Sequence, residues 1–246
     1  MNIVMMGAHP DDPESGCFGL AIRAARAGHR VVALYMTSGR PGAGVGGRPE
    51  AEVREAEARA ACALCGVEAD FLRCPMSALA FDLDHIKRVC DRMRELDADL
   101  ILAHWPVDSH PDHQATGALA TQAVVGNPGV ALAFFEVCTG IQTLAFEPTH
   151  FVDIAAVAAL KKQAVDCHRS QNVAAWWPCH DAMERLRSFQ GFGYRDDPGQ
   201  RAEAYRLEIA TPQAQALFDA RTLLRPSGAR TVRASRHEDV PLFPPP

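Results

Sequence analysis

Ile3-Val4-Met5-Met6-Gly7-Ala8-His9-Pro10-Asp11-Asp12-Pro13-Glu14-Ser15-Gly16 is the stretch that decides the fold. It starts as a short apolar run and breaks at Gly7. It then delivers a histidine and two aspartates within a few residues, flanked by Pro10 and Pro13. An apolar run of this kind reads as a strand buried on both faces. Metal-capable groups then lie at its C-terminal end, where open α/β sheets hold their ligands. His9 and Asp12 are close enough in sequence to serve one ion from one loop. Asp11, between them, is left over.

Working outward, a second cluster, His110-Pro111-Asp112-His113, follows the apolar run Leu100–Ala103. Between the two clusters strands and helices alternate. Strands are expected at Asn2–Gly7, Arg30–Met36, Ala69–Arg73, Leu100–Ala103 and Ala131–Val137. Helices are expected at about Ser15–Ala27, Glu50–Cys65, Leu83–Leu96 and Pro111–Val125. Gly28 and Gly66 stand where C-caps belong, and Pro111 and Asp112 suit a first helical turn. The alternation predicts an α/β fold: a Rossmann-like parallel sheet of order 3-2-1-4-5 with helices on both faces. In that order the first and fourth strands are neighbours at the switch point. Their following loops, which carry both clusters, then face one crevice.

Beyond residue 140 the pattern changes. Ile154–His168 reads as helix and Ala202–Ile209 as strand. Ser170–Gln200 has no clear period and contains Trp176, Trp177, Pro178, Gly191 and Gly193, which predicts a long loop or lid. The chain ends Pro-Leu-Phe-Pro-Pro-Pro. The expectation is one α/β domain over 1–224, with the loop or lid at 170–201, then a Pro-rich C-terminal tail over 225–246. There are no internal repeats.

A 48% apolar content is ample for a core, and the net charge of −5 offers no basic footprint for nucleic acid. No apolar run approaches the roughly eighteen residues of a membrane span, and the N-terminus lacks a charged leader. Eight cysteines scattered singly favour reduced thiols and a cytoplasmic location. The expected partner is a small molecule, with no nucleic acid and no membrane. A homo-oligomer is left open.

His9, Asp12 and His113 offer two imidazoles and a carboxylate, a set that suits a catalytic zinc with one open position. Such an ion lowers the pKa of its water to about 7 and polarises a carbonyl oxygen. Asp11 can carry the water proton. His110 lies one helical turn before His113. If protonated it can stabilise an oxyanion, with Asp112 holding its imidazole. The chemistry is metal-assisted hydrolysis of an amide or ester. Each piece alone has a plainer reading: His-x-x-Asp is a weak signal, and Asp112 suits any helix N-terminus. Two such clusters at adjacent strand ends favour the metal. Cys62 and Cys65 form a CxxC inside a helical pattern and read as packing, as does Cys17. His29, His85, His104, His150, His168 and His180 have no partner spacing and read as surface or core. Gly42–Gly47 lacks the lysine and spacing of a phosphate loop, and no GxGxxG follows the first strand.

Ala8-His9-Pro10-Asp11-Asp12-Pro13-Glu14 resembles the AHPDDxE signature of the PIG-L/LmbE-like zinc N-deacetylases. Pro106-Val107-Asp108-Ser109-His110-Pro111-Asp112-His113 resembles that family's PxDxHPDH signature. The likeness extends to Thr37-Ser38-Gly39, to Arg54 and Glu57, to Lys161/Lys162 through Ser170-Gln171, and to Arg201-Ala202-Glu203-Ala204-Tyr205. The resemblance implies Zn2+ on His9, Asp12 and His113. It implies Asp11 as general base and acid, His110 as electrophilic stabiliser, and Arg54 as a substrate contact. The implied activity is removal of an N-acetyl or other N-acyl group from an aminosugar-containing small molecule. The alternatives are another amide hydrolase, such as a thiol-conjugate amidase, and a catalytically silent metal-binding domain. Two rim positions depart from the family pattern. Arg40 stands where many relatives carry an acid, and Met76-Ser77 stands where many carry Asp-Gly. With Arg40, Arg54 and Trp176 at the rim, the expected substrate is larger than N-acetylglucosamine and carries an anionic or aromatic portion.

Overall fold

Ile3 and Met5 lie in one core and Val4 and Met6 in another, and all four are fully buried. The central strand is therefore covered on both faces. This is why its sequence is continuously apolar instead of alternating. The same division runs through the neighbouring strands. Val31, Ala33 and Tyr35 join the first core, and Val32, Leu34 and Met36 join the second. The computed structural model describes residues 1–40, 42–193, 197–219 and 231–233.

The strands are β1 (Asn2–Gly7), β2 (Arg30–Thr37), the short hairpin β3 (Gly44–Val45) and β4 (Arg48–Pro49), β5 (Glu68–Cys74), β6 (Leu100–His104), β7 (Ala131–Phe135), β8 (His150–Asp153), β9 (Ala202–Ile209) and β10 (Thr231–Arg233). The helices are α1 (Asp12–Gly16), α2 (Phe18–Arg26), α3 (Glu50–Cys65), α4 (Leu83–Glu95), α5 (Pro111–Gly126), α6 (Ala158–Val165), α7 (Val173–Phe192) and α8 (Pro212–Asp219). The main sheet runs β10-β8-β9-β7-β6-β1-β2-β5. Its β5-β2-β1-β6-β7 portion is parallel, in the order expected from the alternation. The expected order is incomplete, because β9, β8 and β10 extend the β7 edge with antiparallel pairings. β1 and β6 are adjacent, with Met6 opposite Ala103, so the loops that follow them share one end of the sheet.

Two glycines allow close approaches there. A Cβ on Gly7 would stand 2.4 Å from Pro13 Cδ, so only glycine lets the motif loop fold back on β1. A Cβ on Gly117 would stand 2.5 Å from the His104 carbonyl oxygen, so α5 packs directly against the end of β6.

Residues 173–192 are not the expected loop or lid. They form the helix α7, with Pro178 inside it. Buried ion pairs fix it in place. Arg187 grips Glu136, just after β7, through Nε at 2.5 Å and Nη2 at 2.6 Å. Lys161 Nζ on α6 lies 2.7 Å from Glu184 Oε1 and 2.7 Å from Glu203 Oε1. Glu203 also accepts from the backbone N–H groups of Gly19 and Leu20, so it ties β9 to the start of α2. The helix expected at about Ser15–Ala27 is broken at Cys17 into α1 and α2. Of the expected tail, residues 231–233 pair with β8; its remaining residues lie outside the described residues.

Candidate active site

Three elements converge on one crevice. The loop after β1 supplies His9 and Asp11, and the first residue of α1 is Asp12. The last residue of β6 is His104. The following loop and the first turn of α5 supply Asp108, His110, Asp112 and His113. Pro111 opens α5, and the His110 side chain caps it, its Nδ1 accepting from the Asp112 N–H at 3.1 Å.

His9 Nδ1, Asp12 Oδ2 and His113 Nε2 form a near-equilateral triangle. Its edges are 3.2 Å (His9–Asp12), 3.4 Å (His113–Asp12) and 3.3 Å (His9–His113). A tetrahedral ion with bonds of about 2.0–2.1 Å has ligand–ligand edges of roughly 3.4 Å, so the donor set fits such an ion. His110 joins His9 and His113 as a further group of converging donors, and His104 joins Asp12 and His113 as another.

His9 and His113 are held from behind through their far ring nitrogens, and Asp12 is held at its donor oxygen itself. His9 Nε2 lies 3.0 Å from Asp112 Oδ2, and that oxygen also accepts from the Ser77 N–H at 2.8 Å. His113 Nδ1 lies 3.3 Å from Asp108 Oδ2. Asp12 Oδ2 accepts from the His9 backbone N–H at 2.7 Å and lies 3.2 Å from His104 Nε2. A carboxylate on the far nitrogen of an imidazole fixes its tautomer and direction, as metal-binding histidines generally require. Asp112 thus supports His9, and not His110 as its place in the sequence suggested. The backbone N–H of Asp112 occupies the His110 ring nitrogen, and its carboxylate turns the other way.

The electrostatics follow from this crowding. Burial pushes the Asp12 carboxyl up, but His113 and His104 outweigh it and hold it well below the usual carboxylate range. Burial opposes a proton on His113, yet Asp12 and Asp108 raise its pKa to about 10. Burial and the charge of His113 lower His104 to about 4. Burial, with His9 and His113 alongside, lowers His110 as well. A protonated His110 is therefore disfavoured in the metal-free chain. Its neutral form, with Nδ1 accepting, keeps its proton on Nε2. Burial raises Asp11 to about 6, against the pull of Arg54. Asp11 also has φ 123°, a strained conformation for a residue with a side chain.

The rim residues divide. Arg54 is buried beside the cluster: Nη2 donates to the Pro10 carbonyl at 2.7 Å and lies 3.4 Å from Asp11 Oδ1. Its Nη1 lies 3.8 Å from Met76 Sδ and 3.7 Å from Glu50 Oε1. Arg40 stands away from the cluster. It is largely exposed, with Nε 3.6 Å from Glu50 Oε2, and lines an open cavity of about 970 Å3 between the β3–β4 hairpin, the start of α3 and the end of β5. Trp176 reaches toward the site through one intermediary, His180, which lies within the electrostatic range of Asp12. It packs edge-on against His180 at 5.3 Å, and His180 Nε2 lies 3.1 Å from Cys138 Sγ. Cys138 begins the turn whose Gln142 touches His113 Nδ1 at 3.0 Å.

Sequence reasoning passed over His104 and gave Asp108 no role. Both are buried and both touch proposed donors. The available signal was position: His104 is the residue at which β6 ends, on the edge that carries the site.

Fold and site together define a largely parallel α/β protein with a candidate metal centre at its strand ends. Residues 4–124 match the model of the PIG-L family, described as GlcNAc-PI de-N-acetylase. Among solved structures, the chain is similar to the N,N'-diacetylchitobiose deacetylase of Pyrococcus horikoshii. That match has a TM-score of 0.72 at 23% identity, over 84% of this chain and 83% of that one. The conserved protein TT1542 of Thermus thermophilus matches with a TM-score of 0.72 at 26% identity, over 86% and 98%. GalB, the 4-carboxy-2-hydroxymuconate hydratase of Pseudomonas putida KT2440, matches with a TM-score of 0.73 at 22% identity, over 86% and 98%. Among the described residues no helix is long and apolar enough to cross a membrane.

Proposed function

We propose that this chain is a zinc-dependent N-deacetylase of a small, aminosugar-containing molecule. The observation that carries the proposal is the triangle of His9 Nδ1, Asp12 Oδ2 and His113 Nε2, each backed by a buried partner. The family-model match over residues 4–124 supports the reaction class, and the likeness to a chitobiose deacetylase supports the fold. A bound zinc supplies Lewis acidity toward the acetamido carbonyl and toward water.

The chain's own residues do the rest. Asp11 takes a proton from the attacking water and returns it to the leaving amine. Asp11 lies beside the donor triangle without being one of its members, and Arg54 Nη2 at 3.4 Å pairs with its carboxylate, the form that accepts the water proton. Neutral His110 presents its Nε2–H to the oxygen of the tetrahedral carbon, because its Nδ1 is taken by the Asp112 N–H. Asp112 and Asp108 keep His9 and His113 directed at the ion. Arg54 joins two regions: Asp11 on one side and Glu50, a wall of the 970 Å3 cavity, on the other. A substrate portion beyond the acetamido group extends past Arg54 into that cavity, where Arg40 meets it. We place the activity in the cytoplasm, in a single α/β domain whose sheet takes in β10 from within the expected tail.

The likeness to a hydratase concerns the fold alone at its level of identity. Acetate release over a panel of N-acetylated aminosugars and thiol conjugates separates these chemistries. Release from an aminosugar supports the proposal. Cleavage of a thiol-conjugate amide alone supports the other amide hydrolase, and no release from any member contradicts deacetylation.

A further inference from the structure

Two of the three proposed donors have carboxylate supports, Asp112 on His9 and Asp108 on His113. The third donor, Asp12, has an imidazole. His104 is almost fully buried, and its Nε2 lies 3.2 Å from Asp12 Oδ2. Its ring also lies parallel to that of His113, with centroids 4.0 Å apart and planes 21° apart. Phe135 also packs against the ring, with centroids 4.8 Å apart and planes tilted by 48°. One side chain therefore touches two of the three donors, and the end of β6 holds it in place.

We propose that His104 is a positioning residue. It donates Nε2–H to Asp12 Oδ2, fixing the direction in which that carboxylate meets a divalent cation, while its ring face fixes the plane of His113. The backbone N–H of Ala8 also lies 3.2 Å from His104 Nε2. One ring nitrogen cannot both accept from Ala8 and donate to Asp12. The ionised carboxylate is the stronger partner and sets the proton on Nε2. This inference rests on the metal reading above.

The test is the zinc dissociation constant, measured by competition with a chromophoric chelator on the full chain and on three variants. Glutamine places an amide N–H at about the reach of Nε2, asparagine places one only at the reach of Nδ1, and phenylalanine keeps the ring without a donor. His104→Asn and His104→Phe should bind zinc about 10–100-fold more weakly, the usual effect of losing a support behind a ligand. His104→Gln should stay within about threefold of wild type, rescue that a purely space-filling role does not give. The cobalt(II) absorption spectrum of His104→Gln should keep the wild-type shape, since the ligand set is unchanged. Equal zinc affinity in all variants overturns the inference, and so does a glutamine variant as weak as phenylalanine. A changed cobalt spectrum in His104→Gln overturns it by making His104 a ligand. If His104→Phe does not fold, the glutamine–asparagine pair carries the comparison. Wild-type protein that binds no zinc contradicts the metal reading itself, and this inference with it.

Discussion

Asp11→Asn tests the electrostatics of the site without any substrate. The carboxyl of Asp11 sits in the crevice between Arg54, with Nη2 at 3.4 Å, and the neighbouring carboxylate of Asp12. Burial raises its pKa from 3.8 to about 6 in the folded, metal-free chain. The folded state therefore holds a proton that the unfolded chain releases near pH 3.8. The sign follows by linkage. Stability from this group is fully present below about pH 3.8, declines as pH rises through about 6, and is flat above that. At 1.36 kcal/mol per pKa unit, a rise of about two units costs ~3 kcal/mol at pH 8. Asparagine cannot ionise, and it tolerates the positive φ of this position better than most residues. With metal removed by chelator, Asp11→Asn should gain ~3 kcal/mol relative to wild type on going from pH 3.5 to pH 8. Urea unfolding at a series of pH values reads this difference directly. A stability difference that does not change with pH would refute the reasoning, because Asp11 would then be solvated like a surface carboxylate.

Four other outcomes are expected. His113→Ala should lose bound zinc while Asp11→Asn keeps it and loses turnover; metal analysis beside an acetate assay checks both, and full zinc occupancy in His113→Ala would show the ligand to be wrong. Lys161→Met should cost about 3–5 kcal/mol in urea unfolding by stranding Glu184 and Glu203 without their buried cation; a loss under about 1 kcal/mol counts against the pairing. Burial pulls the His168 pKa down, but Glu14 at 3.0 Å outweighs it and raises it above 6.5. The stability from that pair is thus fully present below pH 6.5 and lost as pH rises through the folded pKa, so His168→Gln should flatten the alkaline fall in urea stability. Arg40→Ala and Trp176→Ala should each lower kcat/KM about 5–10-fold for a substrate extended beyond N-acetylglucosamine and little for N-acetylglucosamine; equal losses on both substrates would remove that residue from substrate recognition.

The parallel half of the sheet was legible because β1, β2, β6 and β7 bury both faces and read as unbroken apolar runs, with glycine or turn residues between them. α7 was not legible for the opposite reason. The residues it buries are His180, Glu184, Arg187 and Ser188. They recur at helical spacing, but they are polar, so a search for apolar period finds no helix there. β8 and β10 escaped because their place depends on antiparallel partners far along the chain, and no local pattern fixes that. At the site, the donors came in two short motifs and could be read. His104 shows only its position at the end of β6, since its partner Asp12 lies 92 residues earlier and no spacing links them. The pairing of Asp112 with His9 was likewise hidden, because it depends on how His110 caps α5.

The measurement that tests the central claim most directly is acetate release from an N-acetylated aminosugar as zinc is titrated into the metal-free chain. The account predicts no release without metal, and a rise that saturates at one zinc per chain. Release that is already maximal in the metal-free chain would contradict it, and so would a chain holding one zinc that frees no acetate from any aminosugar offered.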